Sequence, residues 1–248
     1  LTLLKKLDFP LAVPSANPSG EPSAKTAEQV LSWFDGVIEG VIDGGRCDLG
    51  IESTVLDLSA TPYRVLRQGA LKLDDIVDCL VERMTVIGIT GGSGSGKTTA
   101  LQVLKEMGAL VIDADTVYHE LLIRNQPLLD SIEARFPGTI VNGVLDRKKL
   151  SAAVFGDAEA LRDLNAITHP AVIRETLLLM REHAMNGGTL AAIDAIGLIG
   201  SGLDKLCTRT YAVLSDRETR IRRIMARDGL NRAQAEQRIR AQLSDDFF

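Results

Sequence analysis

The residues with the clearest chemical potential form a glycine-rich stretch near the middle of the chain. Residues 91–98 read G-G-S-G-S-G-K-T, which satisfies the pattern G-x-x-x-x-G-K-[ST]. Glycines let a backbone wrap closely around phosphate oxygens, and N–H groups at a helix N-terminus attract anions. We expect Lys97 to reach the β- and γ-phosphates of a nucleoside triphosphate, and the Thr98 hydroxyl to ligate Mg²⁺. The alternative interpretation is a flexible Gly/Ser turn.

Two carboxylates follow the next apolar stretch, in V-I-D-A-D at 111–115. Ligands of open α/β sheets bind beyond the carboxyl ends of the strands, so a carboxylate there would face the bound phosphates. Such a group can accept the proton of an attacking hydroxyl; it could also orient Mg²⁺ through water or cap a helix. We expect one of the pair to be a cap, and Asp115 to be the base.

Hydrophobic patterning predicts the elements that position these groups. Strands are predicted at 85–90, 110–112, 190–193 and 210–214. Helices are predicted at 97–107, 116–124, 128–136, 147–154, 158–167, 170–185, 217–227 and 232–242, with a glycine-marked turn around Gly138 and Gly143. Strands alternating with helices indicate an α/β fold with a parallel sheet that is covered on both faces.

The chain from Met84 onward resembles the dephospho-coenzyme A kinase family in eight separated blocks that occur in family order. The blocks are 90–98, 111–115, 119–122, 145–150, 154–155, 164–170, 201–207 and 225–230. The resemblance implies a P-loop NTPase fold of the nucleoside-kinase-like type, with a parallel sheet, a helical acceptor region and a lid. It implies transfer of the ATP γ-phosphoryl group to the ribose 3′-hydroxyl of dephospho-coenzyme A, the last step of coenzyme A synthesis.

The same resemblance assigns expected roles to individual positions. Asp115, Lys97 and Arg227 would be catalytic, with Asp115 as the base for the 3′-hydroxyl and Arg227 in the lid. His119, Asn165 and His169, together with Asp115, fall on the acceptor side. The ATP phosphates would be lined by Gly92, Ser93, Gly94, Ser95, Gly96, Lys97, Thr98 and Thr99. Three alternatives stay open: a surface or core role for His119, a helix C-cap for Asn165, and a cap of the next helix for His169.

The chain departs from the family pattern after the strand at 190–193. The family sequence D-x-P-L-L-F-E is replaced by D-A-I-G-L-I-G at 194–200, so that glycines stand at Gly197 and Gly200. Loss of the glutamate at Gly200 removes one carboxylate from the expected cleft rim. The family also continues beyond Phe248. Both departures favour a second hypothesis, an ATP-binding protein without turnover.

Residues 1–83 show different blocks and carry the whole net charge of −5, with eight basic and thirteen acidic residues. They predict a helix at 26–34 that is capped by Thr26 with Gln29 as capping-box partner, and strands at 53–58 and 63–66.

Blocks at 10–23, 43–58 and 63–71 resemble the C-terminal part of the YrdC-like threonylcarbamoyl-AMP synthases. We expect an incomplete α+β fragment, with much of its sheet missing and an exposed apolar face, and a domain boundary near Arg83 between 1–83 and 84–248. A bifunctional parent chain is a third hypothesis.

Composition excludes several classes of protein and limits the partners. With 45% hydrophobic and 25% charged residues, the chain is neither disordered nor collagen-like, and no run of 18 apolar residues predicts a membrane span. Three widely spaced cysteines favour reduced thiols in a cytoplasmic protein. The negative charge and 4% aromatic content argue against nucleic acid as a partner of the kinase domain. The implied ligands are ATP, Mg²⁺ and dephospho-coenzyme A, and the oligomeric state is undetermined.

Overall fold

The structure is a computed structural model that describes residues 4–9 and 11–242. The chain divides into two compact units, Leu1–Ile76 and Val77–Phe248. A helix, α2, begins in the first unit and ends in the second, and the other elements fall entirely within one unit.

The first unit contains few regular elements. They are a 3₁₀ turn at Leu4–Lys6, helix α1 (Ala27–Phe34), an antiparallel pair of strands β1 (Val55–Asp57) and β2 (Arg64–Arg67), and the start of α2 (Leu73–Glu82). The Thr26 side chain accepts a bond from the Gln29 N–H at 3.4 Å, as predicted. The Gln29 side chain, however, accepts from Lys25 N at 2.6 Å, one residue before the cap, so the predicted capping box is not closed.

Burial in the first unit is slight. Among its described residues, Ile76 alone is buried, whereas large apolar side chains such as Val13, Val37 and Ile42 are 75% or more exposed. Hydrophobic burial is the main favourable contribution to folding, so this unit lacks the core that would hold it in one arrangement. The exposed apolar side chains agree with the exposed apolar face expected for residues 1–83.

The second unit is built on a parallel sheet. Its elements in chain order are β3 (Thr85–Thr90), α3 (Lys97–Glu106), β4 (Leu110–Asp113), α4 (Ala114–Arg124), α5 (Gln126–Arg135), β5 (Ile140–Val141), β6 (Val144–Leu145), α6 (Arg147–Val154), α7 (Ala158–Met185), β7 (Leu190–Asp194), a 3₁₀ turn (Leu203–Leu206), β8 (Arg209–Ala212), α8 (Arg217–Asp228) and α9 (Arg232–Arg240). The four-stranded sheet has the order β4-β7-β3-β8, and every neighbouring pair is parallel. The α/β prediction is confirmed.

Strand β7 lies inside this sheet, where its sequence L-A-A-I-D places small and apolar side chains on both faces. Ala191, Ala192 and Ile193 are fully buried. Parallel sheets are covered by helices on both sides, which explains why the strand is apolar without alternation. The carboxylate of Asp194 appears only at its end.

The predicted break between helices at 167–170 is wrong. Residues Ala158–Met185 form one continuous helix with Pro170 in its interior. A buried stripe recurs at every fourth position along it, at Ala160, Leu164, Thr168, Val172, Thr176, Met180 and Ala184. The apolar members of the stripe belong to the main core together with residues of α4, α5 and α6. Packing on both sides of Pro170 outweighs the hydrogen bond that proline cannot donate.

Two smaller differences have local causes. The predicted turn around Gly138 and Gly143 contains the hairpin β5–β6, whose two-residue turn is Asn142-Gly143 with φ values of 52° and 77°. An Asn-Gly pair is a strong hairpin signal because both residues tolerate positive φ. The last strand ends at Ala212 rather than at 214.

Across the described residues, no helix combines the length and apolarity needed to span a bilayer.

Helices α8 and α9 form a hairpin with its own small core. Ile221, Ile224 and Ala235 are fully buried there. Asn231 begins α9 with a complete capping box, since its side chain bonds the Gln234 N–H while the Gln234 side chain bonds the Asn231 N–H. Most of the arginine-rich surface of the hairpin is exposed, but Arg220 is only 4% exposed.

We expect Pro170→Ala to stabilise the second unit, because alanine restores the missing N–H of a helix that is already continuous. The gain should be about 1–2 kcal/mol in the free energy of unfolding, reduced from the full helix penalty by the greater entropy of the unfolded chain. Urea unfolding followed by circular dichroism at 222 nm measures it. The single tryptophan, Trp33, lies in the first unit, so its fluorescence reports that unit separately.

Pro137→Ala is the matched control, since Pro137 lies in an exposed turn after α5. It should lower the unfolding free energy by up to about 1 kcal/mol through the unfolded state. A loss of stability in Pro170→Ala would show that the proline ring itself is needed for packing.

Candidate active site

The register of the parallel strands gathers the polar groups at one edge of the sheet. Asp194 is paired with Asp113 on one side and with Ile89 on the other. The chain leaves β3 immediately afterwards, at Thr90, and enters the glycine-rich loop. Two carboxylates and the loop therefore meet beyond the carboxyl ends of adjacent strands, where open α/β sheets bind ligands.

The glycine-rich loop has the backbone geometry that its sequence predicts. Gly91, Gly94 and Gly96 have φ values of 131°, 77° and 110°, in the region that only glycine enters readily. Gly96 is the N-cap of α3 and contributes no side chain, so that the first turn of the helix is open to an anion. Lys97 Nζ donates to the Gly91 carbonyl at 2.8 Å, which folds its ammonium group over the loop.

A cleft of about 630 Å³ lies over this loop. Six of the eight predicted phosphate-binding residues line it, namely Gly92, Ser93, Gly94, Gly96, Lys97 and Thr98. Ser95 is buried beneath, with a hydroxyl that has no hydrogen-bond partner among the described residues, and Thr99 lies in the first turn of α3. The structure thus brings the lysine, the threonine and the backbone of the predicted cradle together.

The two aspartates after β4 have different roles in the fold. Asp113 caps α4, because its Oδ1 accepts from Asp115 N at 2.9 Å and from Thr116 N at 3.1 Å. Asp115 is in the first turn of the helix, exposed, and lines the cleft. The capping alternative therefore applies to Asp113 and leaves the Asp115 carboxylate available to a ligand.

Asp194 is a cleft residue that sequence analysis did not select. Its Oδ1 is buried and has no hydrogen-bond partner among the described residues. Burial raises the pKa of the Asp194 carboxyl; Lys97 opposes this shift, and the charges of Asp113 and Asp115 add to it. The signal that could have identified Asp194 was present in the sequence, since it ends a buried strand as Asp113 does.

Arginines from α8 and α9 form the opposite wall of the cleft. Arg223, Arg227 and Arg238 line it. The predicted lid residue Arg227 holds Asp228 through two bonds, Nε to Oδ1 at 2.8 Å and Nη2 to Oδ2 at 3.0 Å, and Arg238 contacts the same carboxylate at 2.8 Å. The Arg227 bonds hold the pKa of Asp228 below its usual value. Arg223 and Arg238 were not singled out from the sequence.

A second cavity of about 310 Å³ adjoins the cleft and shares Asp115 and Ala195 with it. Asn165 and His169 line this cavity from one face of α7, one turn apart. Burial lowers the pKa of the His169 imidazole and so favours the neutral form of the ring. Because α7 is continuous through both positions, the helix-cap alternatives for Asn165 and His169 are wrong.

His119 does not line this second cavity. It lines a different cavity of about 230 Å³, together with Leu145 and Arg147. Tyr118 and Leu164 border both cavities, so His119 is separated from Asn165 and His169 by these two side chains.

The two glycines that replace family residues differ in position. Gly197 lines the second cavity, where a Cβ would meet no atom within 4 Å. Gly200 has φ +89°, a conformation that L side chains rarely adopt, although there is space around it. A side chain at position 200 would therefore strain the present backbone.

Comparisons with known proteins decide the family. The family model described as "Dephospho-CoA kinase" matches residues 85–246, which is more than half of the chain. This chain belongs to the dephospho-CoA kinase family. Dephospho-CoA kinase of Geobacter sulfurreducens is 41% identical to it over 162 residues, covering 64% of this chain and 82% of that protein. The Symbiobacterium thermophilum dephospho-CoA kinase is 40% identical over 165 residues, 66% of this chain and 69% of that protein.

A solved structure supports the fold of this family member. The crystal structure of TT1252 from Thermus thermophilus aligns with a TM-score of 0.55 at 35% identity, covering 66% of this chain and 83% of that one. Residues 1–69 match a different family model, Sua5/YciO/YrdC, described as "Telomere recombination". The two resemblances seen in the sequence are both confirmed.

The raised pKa of Asp194 has a consequence for stability. A carboxyl whose pKa is higher in the folded state than in the unfolded state stabilises the fold when it is protonated. This contribution to the free energy of unfolding is complete below the unfolded-state pKa of about 3.9, and it is lost as the pH rises through the native pKa. Asp194→Asn should therefore raise the midpoint of thermal unfolding at pH 7.5 by about 2 °C, and the gain should shrink toward pH 4. Calorimetry across pH 4–8 measures both effects.

The control is Asp130→Asn, an exposed carboxylate on α5 that accepts a bond from Gln126 at 2.8 Å. It should change the midpoint little at any of these pH values. If Asp194→Asn lowers the midpoint at pH 7.5, the attraction of Lys97 outweighs the cost of burying the charge.

Proposed function

We propose that this chain transfers the γ-phosphoryl group of ATP to the ribose 3′-hydroxyl of dephospho-CoA. The observation that carries the proposal is the position of Asp115, which lines both the cleft over the glycine loop and the cavity beside α7. A carboxylate at the junction of a nucleotide site and an acceptor site is where phosphoryl transfer needs a base.

The cleft over the loop is the proposed ATP site. Backbone N–H groups of the loop and the open N-terminus of α3 would hold the phosphates, and Lys97 would leave the Gly91 carbonyl to contact the β- and γ-phosphates. Arg227, already on the opposite wall, would stabilise the charge that develops on the transferred group. Gly92, Ser93, Gly94, Ser95, Gly96, Thr98 and Thr99 complete this proposed site.

The cavity beside α7 is the proposed acceptor site. Asn165 supplies an amide and His169 a neutral imidazole, which can bond to sugar hydroxyls without adding charge. In the transfer step, the 3′-oxygen forms a bond to the γ-phosphorus while the bond to the β–γ bridging oxygen breaks and ADP leaves. The 3′-hydroxyl proton passes to the Asp115 carboxylate. His119 would contact the acceptor only through the neighbouring cavity.

The residues around the cleft are suited to Mg²⁺. Asp113, Asp115 and Asp194 line the cleft without forming a ready-made cluster of three metal ligands among the described residues. The buried Asp194 Oδ1 lacks a hydrogen-bond partner within the same described part of the chain. A hard dication prefers such oxygen ligands and relieves their mutual repulsion, so we assign Asp194 and the Thr98 hydroxyl to it. When bound, the ion supplies charge stabilisation to the β- and γ-phosphates.

The first unit supports a proposal about the parent protein. The Sua5/YciO/YrdC match at 1–69 favours a bifunctional chain in which a threonylcarbamoyl-AMP synthase-like domain precedes a kinase domain, with the boundary near Arg83. Because this unit buries almost none of its side chains, we expect no synthase activity from it alone. The three free thiols suit a cytoplasmic location.

A coupled assay tests the proposed function directly. The purified chain is incubated with ATP, Mg²⁺ and dephospho-CoA, and the formation of ADP and coenzyme A is followed. Equal amounts of the two products support the kinase. If ATP protects the chain from thermal unfolding but no ADP forms, the kinase proposal is wrong. The second hypothesis, an ATP-binding protein without turnover, then applies.

Lys97→Ala should lower kcat by about 100-fold or more, because it removes the positive charge that stabilises the transferred phosphoryl group. Lys105→Ala is the control, since Lys105 is exposed in the last turn of the same helix and lies outside the cleft. The two variants are compared in the coupled assay. Equal kcat values for the two variants would show that Lys97 does not contribute to phosphoryl transfer.

Asp115→Asn should lower kcat by about 100-fold or more while the Kd for ATP changes little, because the amide keeps the shape but cannot accept the proton. Glu120→Gln on the exposed face of α4 is the control. Product formation gives kcat, and calorimetric titration gives the Kd. An unchanged kcat would show that another group is the base.

A further inference from the structure

The outer face of the phosphate loop is bonded to the α8–α9 hairpin. Arg223 Nη1 donates to the Gly94 carbonyl at 3.1 Å and to the Ser95 carbonyl at 3.0 Å. Arg220 Nε donates to the Ser93 carbonyl at 3.1 Å. Three successive carbonyls of the loop therefore accept bonds from two guanidinium groups of one helix.

Gln242, just beyond α9, bonds to the same corner of the loop. Its Oε1 accepts from Ser93 N at 2.9 Å and from Arg220 Nη2 at 3.1 Å, and its Nε2 donates to Ser93 Oγ at 2.6 Å. The N–H, the hydroxyl and the carbonyl of Ser93 are thus all engaged by the hairpin. We call Arg220, Arg223 and Gln242 the outer brace.

The brace also accounts for two glycines of the loop. A Cβ on Gly92 would overlap the guanidinium of Arg220, and a Cβ on Gly94 would come within 2.7 Å of the Arg220 carbonyl oxygen. Helix α8 could not approach so closely over side chains. Gly94, whose φ is 77° and whose Cβ would meet backbone atoms, therefore requires glycine independently of any phosphate, whereas a Cβ on Gly92 would displace the side-chain ends of Arg220 and Gln242.

The chemistry of the brace connects it to phosphate binding. A buried guanidinium such as Arg220 is costly unless its donors are satisfied. Here Arg220 Nε donates to the Ser93 carbonyl and Nη2 donates to Gln242 Oε1. A positive charge on the carbonyl side of a peptide polarises the unit, so that N–H groups further along the loop become better donors. The same bonds fix the direction of those N–H groups, and preorganised donors lose less entropy on binding.

We propose that Arg220, Arg223 and Gln242 are positioning residues of the nucleotide site, which hold the phosphate loop from outside in the shape that binds the triphosphate. Arg220 and Gln242 do not line the cleft and act through the peptide groups of the loop. Arg223 does line the cleft, and the proposal concerns its bonds to the Gly94 and Ser95 carbonyls. This inference rests on the proposed nucleotide site and extends it to the hairpin, so that order in α8–α9 and affinity for ATP are coupled.

The test measures binding without turnover. The non-hydrolysable analogue AMP-PNP is titrated with Mg²⁺ into the full chain by calorimetry, which gives both the Kd and the fraction of competent sites. Arg223→Gln should raise the Kd about tenfold, the equivalent of one charged hydrogen bond. Arg223→Lys should recover part of this loss, because one ammonium group keeps the charge but reaches fewer carbonyls.

The matched control is Arg222→Gln, which removes the same charge from the neighbouring position. Arg222 is exposed and bonds only to Thr219 Oγ1 among the contacts described for its side chain, so the Kd should change less than twofold. Gln242→Leu provides a milder variant that tests the brace if Arg223→Gln does not fold, with an expected rise of about fivefold.

Each outcome has a distinct meaning. A lower site fraction with an unchanged Kd would show that the brace only stabilises the fold, and an equal effect of Arg222→Gln would show a general charge effect; either overturns the inference. A wild-type chain that does not bind AMP-PNP also overturns it. A wild-type chain that binds AMP-PNP but forms no coenzyme A overturns the proposed function alone, because dephospho-CoA is absent from the titration.

Discussion

The parallel hydrogen-bond register of β4, β7 and β3 is the constraint on which the site depends. It pairs Asp194 with Asp113 on one side and with Ile89 on the other. Ile89 is the residue before β3 ends and the phosphate loop begins. Parallel strands end at the same edge of a sheet, so carboxylates distant in sequence become neighbours. The small side chains of β7 allow helices to cover both faces, and this covering leaves Asp194 partly desolvated.

Side chains of opposite charge line the cleft. Carboxylates at the strand ends face a wall of arginines from α8 and α9, with Lys97 between them on the loop. The polar groups are restrained by the fold itself: Asp113 by the cap of α4, Arg227 by Asp228, and the loop carbonyls by Arg223. Such restraint lets a site bind charge without reorganising, which is the main electrostatic source of catalytic power.

The two units differ in what holds them. The second has a sheet, a long continuous helix and a core that runs from β3 to α7, and burial of this kind drives folding. The first has two short paired strands and a helix with no buried residue. Residues 1–69 of this chain match a second family model, so the two units resemble different families.

The sequence by itself determined the phosphate loop, the four strands of the parallel sheet and the family, because these depend on local patterns of glycine, charge and periodicity. It gave Asp115 as a candidate base, but two aspartates stood equally near, and only the capping bonds of Asp113 separate them. Tertiary packing decided that α7 runs through Pro170, since a buried stripe on both sides outweighs one missing N–H. It also decided the positions of Arg220, Arg223 and Gln242, because contacts between residues more than a hundred positions apart leave no local signal.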